Sequence, residues 1–336
     1  MNKLKKVIIF ETIIIIILVI AIIFFNIDIF KPFIIQQNKD VYCEKHYYDN
    51  KVCLLSPRIY TNIIPQKNYL ILNFESLKTD IQNYIDDNHF NLSVYIINAR
   101  DGASFGIDED KLYQAISLNK LPIAVIILKK VEEGKLSLDT KLPIEDKDRD
   151  NSFGTLYAQP VNELSVRDLL RYMLSESDNT ALWVLSKKIT KEDLLYFTKY
   201  IDYYSNDINS EKFPIDTKTS PKTVSNIFLS LYLSTILNAD DSELILSYLT
   251  NSSFDIKKYA QLPDDVVVSQ KYGFYYLNNL SFFHSCGIIY VEDSRFSYCI
   301  MSKDIEREKA PEVIGTIVNK LYNFVVEGRK VKNIGI

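Results

Sequence analysis

Three short segments carry the side chains with the most chemistry to offer. Ser117 and Lys120 stand three residues apart in Ala115-Ile116-Ser117-Leu118-Asn119-Lys120-Leu121-Pro122, at the head of an apolar run. On a helix, positions i and i+3 share a face, so the amine can reach the hydroxyl. A serine is a poor nucleophile until a base takes its proton. Lysine serves as that base when burial and neighbouring positive charge hold its pKa down. A helix starting at Ile116 or Ser117 would also favour an anion at the serine through its N-terminal dipole. Pro122, about one turn in, donates no hydrogen bond and crowds the first-turn carbonyls. Taken alone, the pair also reads as a helix N-cap followed by an exposed lysine.

The second segment, Ser177-Asp178-Asn179, precedes an apolar stretch read as a helix over Thr180–Ile189. Ser, Asp and Asn are the preferred N-cap residues, so one of the three is expected to cap that helix. The chemical reading makes Ser177 a hydroxyl proton relay and Asn179 an amide that holds the lysine or the substrate. The third segment, Lys271-Tyr272-Gly273, follows the β-branched run Val266-Val267-Val268. A charged end on an edge strand accounts for a lysine there. As part of a site, Lys271 is a cation near the relay serine, and Gly273 lets substrate lie against a backbone with no Cβ in the way.

The elements that must bring these segments together follow from apolar spacing. Residues 69–88 read as a helix through Leu70, Leu72, Phe74, Leu77, Ile81, Tyr84 and Ile85. Leu92–Asn98 and Ala103–Ile107 read as strands around the turn Arg100-Asp101-Gly102. The Ser117 helix then runs through Glu133 and is stopped by Gly134. A helical middle is predicted over Val166–Ser175, Thr180–Ile189, Lys191–Ile201, Pro221–Leu237 and Ser242–Asn251. Strands return at Val266–Lys271, Phe282–Tyr290 and Ser297–Ser302, and a last helix spans Ala310–Val326. This order predicts an α/β (α+β) architecture, a sheet flanked by helices with an all-helical lobe inserted at roughly 122–218.

The chain has 336 residues and a formal net charge of −4, with no basic stripe to neutralise phosphates, so a nucleic-acid partner is not expected. Lys3, Lys5 and Lys6 precede a nineteen-residue run from Val7 to Phe25 broken only by Glu11 and Thr12. That length nearly crosses a hydrocarbon core, and the lysines place the N-terminus in the cytoplasm. The alternative is a cleaved signal peptide, but no small-residue cleavage site follows Phe25. The expected organisation is a cytoplasmic tip and single-pass membrane anchor over 1–26, an extracytoplasmic stalk over 27–68, and an exported globular domain over 69–336. Of the four cysteines, Cys43 and Cys53 can close a small loop in an oxidising compartment, and Cys286 and Cys299 are placed symmetrically about Glu292-Asp293-Ser294, facing across a hairpin. Two buried thiols are the other reading of that second pair. His46, His89 and His284 are too scattered to form a zinc site, and no metal is expected.

S-x-x-K, S-D-N and K-x-G, in that order, resemble the motif set of the class A β-lactamases and penicillin-binding proteins. The likeness extends through "LSVYIINARDGASFGIDEDKLYQAISLNKLPI", "EEGKLSLD", "LSVRDLLRYMLSESDNTALWVL", "KTSPKTVSNIFLSLY" and "HSCGIIY", from about residue 69 to 328. It implies an antiparallel sheet of the β-lactamase/DD-peptidase type and a serine hydrolase that needs no cofactor. By that resemblance Ser117 attacks an amide carbonyl to form an acyl-enzyme, and Lys120, held neutral by Lys271 and burial, takes its proton. Ser177 passes a proton to the leaving nitrogen, with Lys271 tuning it, and Asn179 orients Lys120 and substrate. The backbone N–H groups of Ser117 and Phe274 make the oxyanion hole. The implied substrate is a β-lactam or a D-Ala-D-Ala-type stem peptide of peptidoglycan. Two departures stand out. Tyr272 replaces the small hydroxyl residue that in the family meets the substrate carboxylate. No E-x-x-L-N segment supplies a deacylating glutamate, and Glu192 and Asp193 read as first-turn acids after Thr190, while Glu211 and Asp216 match poorly. Slow turnover of β-lactams is therefore expected. The rival class is an inactive penicillin-binding-like sensor or cell-wall scaffold.

Overall fold

The computed structural model describes residues 54–56, 73–201, 217–277, 280–291 and 294–334, all within the compact unit Lys45–Ile336. The expected anchor over 1–26, and Cys43 and Cys53, lie outside the described residues. No helix among the described residues is long and apolar enough to cross a membrane.

Helix α1 (Glu75–Asp87) leads into strands β1 (Leu92–Asn98) and β2 (Ser104–Ile107), then β3 (Tyr113–Gln114), a 3₁₀ turn over Ile116–Asn119, and helix α2 (Lys120–Glu132). The middle contains β4 (Lys141–Pro143), β5 (Glu163–Ser165), α3 (Val166–Ser175), α4 (Asn179–Ser186), α5 (Lys191–Ile201), β6 (Lys218–Thr219), α6 (Pro221–Tyr232), α7 (Ala239–Thr250) and α8 (Ile256–Ala260). Strands β7 (Val267–Leu277), β8 (Leu280–Val291) and β9 (Ser294–Glu306) follow, and α9 (Ala310–Ile334) closes the chain.

The five-stranded sheet has the order β2-β1-β9-β8-β7, and each adjacent pair is antiparallel. Strand β1 lies between β2 and β9 and is buried at every position, because both of its faces are covered. One face packs against α1, α8 and α9 through Leu77, Ile81, Ile256, Ile314 and Ile317. The other packs against α2, α3, α4, α6 and α7 through Ile127, Leu170, Leu185, Phe228 and Leu246. The sheet is thus the shared wall of two apolar cores, and β7 is one of its two edge strands.

Several boundaries differ from those read off the sequence, each for a local reason. Helix α6 stops at Tyr232 because Leu233 is its C-cap and Ser234 turns into the left-handed region. Helix α7 begins at Ala239, three residues early, because Asn238 caps it by accepting the Asp241 N–H at 2.8 Å. Strand β7 continues past Lys271 to Leu277: the aromatic residues after Gly273 pair with β8, with Phe274 opposite Phe283 and Gly273 opposite His284. The K-Y-G segment therefore sits in mid-strand and not at a strand end. Leu54 and Leu55 are buried, and the Leu54 carbonyl accepts the Tyr290 hydroxyl at 3.0 Å, so this part of the expected stalk belongs to the folded domain.

Cys286 of β8 lies opposite Cys299 of β9, and the two form a disulfide that spans 13 residues of sequence. The facing pair expected from the symmetric hairpin is present. Closing a loop of this length removes entropy from the unfolded chain, and replacing both cysteines by serine should cost about 2–4 kcal/mol, read by denaturant unfolding of oxidised wild type against the double variant.

Candidate active site

The segment that leads to Ser117 is braced before it reaches that residue. Strand β3 pairs with β6, and the Ala115 N–H donates to the Thr217 carbonyl at 2.8 Å. His284, buried under Gly273 on β8, bonds the Gln114 carbonyl through Nε2 at 2.9 Å, and its Nδ1 accepts the Ser302 N–H at 3.3 Å. These two contacts fix a neutral ring with its proton on Nε2, and burial pushes its pKa down to about 4. Ile116 then takes φ of 51°, a left-handed conformation that is an outlier for a β-branched residue. It turns the half-buried Ser117 out of the core, while Lys120, fully buried, opens α2. The irregularity expected from Pro122 takes the form of a 3₁₀ turn that passes into the α-helix at Lys120; Pro122 lies within the first turn of α2, where no carbonyl of the helix awaits its missing N–H.

The second segment divides its labour as the capping rule requires. Asp178 is the N-cap of α4: one carboxylate oxygen accepts the Ala181 N–H at 2.9 Å, and the other accepts the Leu156 N–H at 2.8 Å. Ser177 and Asn179 are thereby left on either side of the cap, free to face Lys120. Ser177 adopts φ of 57° to do so. The loop before it depends on Gly154, at φ of 94°, where a Cβ would stand 2.1 Å from an Asp178 carboxylate oxygen.

The three segments converge. Lys120 Nζ lies 3.1 Å from Ser117 Oγ, 3.2 Å from Ser177 Oγ, 2.5 Å from the Ser177 carbonyl and 2.7 Å from Asn179 Oδ1. Lys271 Nζ donates to Ser177 Oγ at 2.8 Å and to the Tyr272 carbonyl at 3.1 Å. Burial lowers the Lys120 pKa to about 7, against the pull of Asp178 and Asp150, which favour its charged form. Burial, aided by repulsion from Lys120, pushes Lys271 well below its ordinary value. Burial is thus the leading cause in both amines, and charge repulsion adds to it only at Lys271. A neutral Lys120 amine has two hydrogens and one lone pair. The Asn179 amide oxygen and the Ser177 carbonyl are pure acceptors and take the two hydrogens, which leaves the lone pair for a hydroxyl proton.

Gly273 also makes room within the protein itself. A Cβ there would approach the Ser117 backbone nitrogen to 3.0 Å and the Ile116 Cβ to 3.4 Å, so the glycine admits the nucleophile turn against β7. Tyr272 turns its hydroxyl to Ser253 Oγ at 2.8 Å, and its ring packs on Phe254 with centroids 5.2 Å apart. Phe274, half-buried, meets Phe153 edge-on at 5.2 Å. Phe153 belongs to the opposite wall, because its carbonyl accepts the Asn179 N–H at 3.0 Å. Phe153 belongs to none of the three motifs, and only the fold brings it to the site. Asp193 behaves as a first-turn acid: it accepts the Thr190 N–H at 2.7 Å and pairs with Lys130 at 2.6 Å. Glu211 and Asp216 lie outside the described residues.

The fold matches known proteins. The profile of the beta-lactamase enzyme family covers residues 76–325, so the chain belongs to that family of serine hydrolases. Beta-lactamase VEB-1 of Pseudomonas aeruginosa is 22% identical over 220 residues, 61% of this chain and 74% of that one. Beta-lactamase SME-1 of Serratia marcescens is 24% identical over 195 residues, 54% of this chain and 66% of that one. Among solved structures, the TLA-3 extended-spectrum beta-lactamase superposes with a TM-score of 0.68 at 20% identity, covering 76% of this chain and all of its own. A mutant of PBP-A, in an acyl-enzyme complex with penicillin G, gives 0.65 at 19%, covering 75% and 97%.

The close approach of β7 to the nucleophile turn is testable by itself. Gly273→Ala forces the Ser117 backbone or the strand to yield by a few tenths of an ångström, which should cost about 1–2 kcal/mol in urea unfolding. Alanine at Gly102, where a Cβ meets nothing within 4 Å but the backbone φ is 80°, separates crowding from backbone strain.

Proposed function

We propose that the protein is a membrane-anchored, extracytoplasmic serine hydrolase that opens an amide of a β-lactam or of a D-Ala-D-Ala-type peptidoglycan peptide through an acyl-serine intermediate. One observation carries this reading: Lys120 Nζ stands 3.1 Å from Ser117 Oγ with its two hydrogens committed to carbonyl acceptors. Lys120 takes the Ser117 proton as Oγ attacks the carbonyl carbon. The tetrahedral oxyanion is met by the backbone N–H groups of Ser117 and Phe274, each such donor contributing about 3 kcal/mol to the transition state. Collapse of the tetrahedral species breaks the C–N bond. The leaving nitrogen receives the Ser177 hydroxyl proton, which Ser177 recovers from Lys120 or Lys271, both within hydrogen-bond reach of its Oγ. Asn179 holds Lys120 and the substrate, and Tyr272, Gly273 and Phe274 form the strand against which substrate lies.

Deacylation is the slow half of the cycle. It needs a base that activates water, and the carboxylates that act on Lys120, Asp178 and Asp150, are committed elsewhere. Asp178 accepts two backbone N–H groups. Although burial works against it, Asp150 is held below the ordinary carboxylate range by hydrogen bonds from Ser152, Trp183 and Asn179, which makes it a weak base. That a mutant of PBP-A, which shares this fold, forms an acyl-enzyme complex with penicillin G supports acylation by that ligand class. The hydrophobic N-terminal run supports anchoring, with the domain outside the membrane, where both substrate classes occur.

Intact mass after mixing with penicillin should show a single covalent addition that outlasts the mixing by minutes, absent in Ser117→Ala. Turnover of penicillin at about 10 per second or faster, an ordinary enzymatic rate, would contradict slow deacylation. Failure of the wild type to label would favour a sensor or scaffold. Because the neutral form of Lys120 is the base, the acylation rate should rise with pH through about 7 and level off above it.

A further inference from the structure

Beyond the three motifs, a polar chain reaches Lys120 from the loop that precedes Gly154. Asn179 spends its Oδ1 on Lys120 at 2.7 Å, and its Nδ2 donates to Ser152 Oγ at 2.8 Å. Ser152 Oγ donates in turn to Asp150 Oδ1, a short contact, and the Ser152 N–H donates to the same oxygen at 2.8 Å. The other Asp150 oxygen accepts the indole N–H of Trp183 on α4 at 2.9 Å. The Asp150 backbone N–H is tied to Thr180 Oγ1 at 3.0 Å. The order runs in one direction, from Lys120 through Asn179 and Ser152 to a carboxylate fixed by an indole, and the Asn179 amide also bonds that carboxylate directly.

The chain settles which way the Asn179 amide faces. Ser152 Oγ gives its own proton to Asp150, so toward Asn179 it can only accept, and the Asn179 NH₂ must point at it. The amide oxygen then has to point at Lys120. With Asp150 neutralised, or with Ser152 removed so that only the direct Asn179–Asp150 bond remains, the amide can turn over and offer its NH₂ to Lys120, where it opposes the ammonium and competes for the lone pair of the neutral amine. The charges around Lys120 are Asp178 from the N-cap of α4, Asp150 from this loop and Lys271 from β7. Charged neighbours of Asp150 in sequence are occupied elsewhere: Asp148 by Lys187 at 2.6 Å, and Arg149 by the carbonyls of Tyr157, Gln159 and Val161.

We propose that Asp150 and Ser152 are positioning residues that fix the Asn179 amide and thereby set the orientation and charge state of Lys120. The inference rests on the reading of Lys120 as the base for Ser117. It adds that the strength of this base is controlled by a loop outside the three motifs, through one carboxylate.

The test uses the full chain in detergent, labelled with ¹³C at the lysine Cε, with the Lys120 resonance assigned from a Lys120→Arg sample. Asp150→Asn removes a charge that favours the ammonium, so the Lys120 titration midpoint should move down by roughly half a pH unit or more. The acid limb of the acylation profile should move with it. Ser152→Ala should lower the penicillin acylation rate constant about tenfold with little change in the prior non-covalent binding constant, and Ser152→Thr should restore most of it. A Lys120 midpoint unchanged in Asp150→Asn, or Ser152→Ala acylating like wild type, would overturn the inference. The NMR midpoint does not depend on acylation. A wild type that fails to label while its Lys120 midpoint shifts on Asp150→Asn would sink the hydrolase reading and leave the positioning chain standing.

Discussion

Two lysine amines share one serine hydroxyl inside the protein, and the rest of the site exists to make that tolerable. An ammonium taken out of water without a partner costs several kcal/mol, and two side by side cost more. The protein meets this cost partly by lowering both pKa values and partly by supplying acceptors. Two carbonyl-type oxygens face Lys120, and the Tyr272 carbonyl faces Lys271. The Ser177 hydroxyl, being donor and acceptor at once, sits between the amines and can serve either protonation state. A carboxylate in its place would accept only and would favour the charged form of both amines.

Placing those groups strains the backbone at two points. Ile116 and Ser177 both occupy the left-handed region, each at a cost of order 1–3 kcal/mol. Both are held by neighbours with regular structure. The Ile116 turn is gripped between the β3–β6 pairing behind it and the edge strand β7 in front, where only a glycine at 273 leaves room. The Ser177 turn is gripped by the Asp178 cap and by Gly154, whose own positive φ lets the loop carrying Leu156 reach the Asp178 carboxylate. The pattern is the same twice: a hydroxyl on a strained turn, at the start of a helix, stabilised by a glycine from another segment. Strain of this kind is compatible with stability only because the two cores on either face of the sheet are extensive.

Much of this was legible in the sequence because periodicity and capping are local. Strand β1, helix α3 and helix α5 lie at the bounds their apolar spacing predicts, since each is long enough to show its period. The β3–β6 and β4–β5 pairs were invisible: they are two or three residues long and exist only through partners far along the chain. Helix α8, five residues long, has no period to read. The same division holds in the site. Ser117, Lys120, Ser177, Asn179 and Lys271 announce themselves through spacing and resemblance. Asp150 is one acid in the charged string Glu145-Asp146-Lys147-Asp148-Arg149-Asp150. Nothing local separates it from its neighbours; only the fold assigns Asp148 to Lys187 and Asp150 to Trp183.

The strand period also explains how Tyr272 can stand where the family carries a small hydroxyl without disturbing the proton chemistry. Successive side chains of β7 point to opposite faces. Lys271 and Gly273 face the Ser177 and Ser117 turns. Tyr272 and Phe274 face the other way, into Phe254 and Phe283, and reach the cleft only around the free edge of the sheet, where Phe153 meets them. Change at the second set therefore alters what lies beside Ser117 and leaves intact the groups bonded to Lys120 and Ser177. With the Tyr272 hydroxyl bound to Ser253, the side chain at this position offers the cleft an aromatic edge in place of a hydroxyl donor. Under the proposed reading, substrate recognition on this wall would rest on ring contacts and on backbone groups of β7, a weaker claim on a carboxylate and a stronger one on an apolar group.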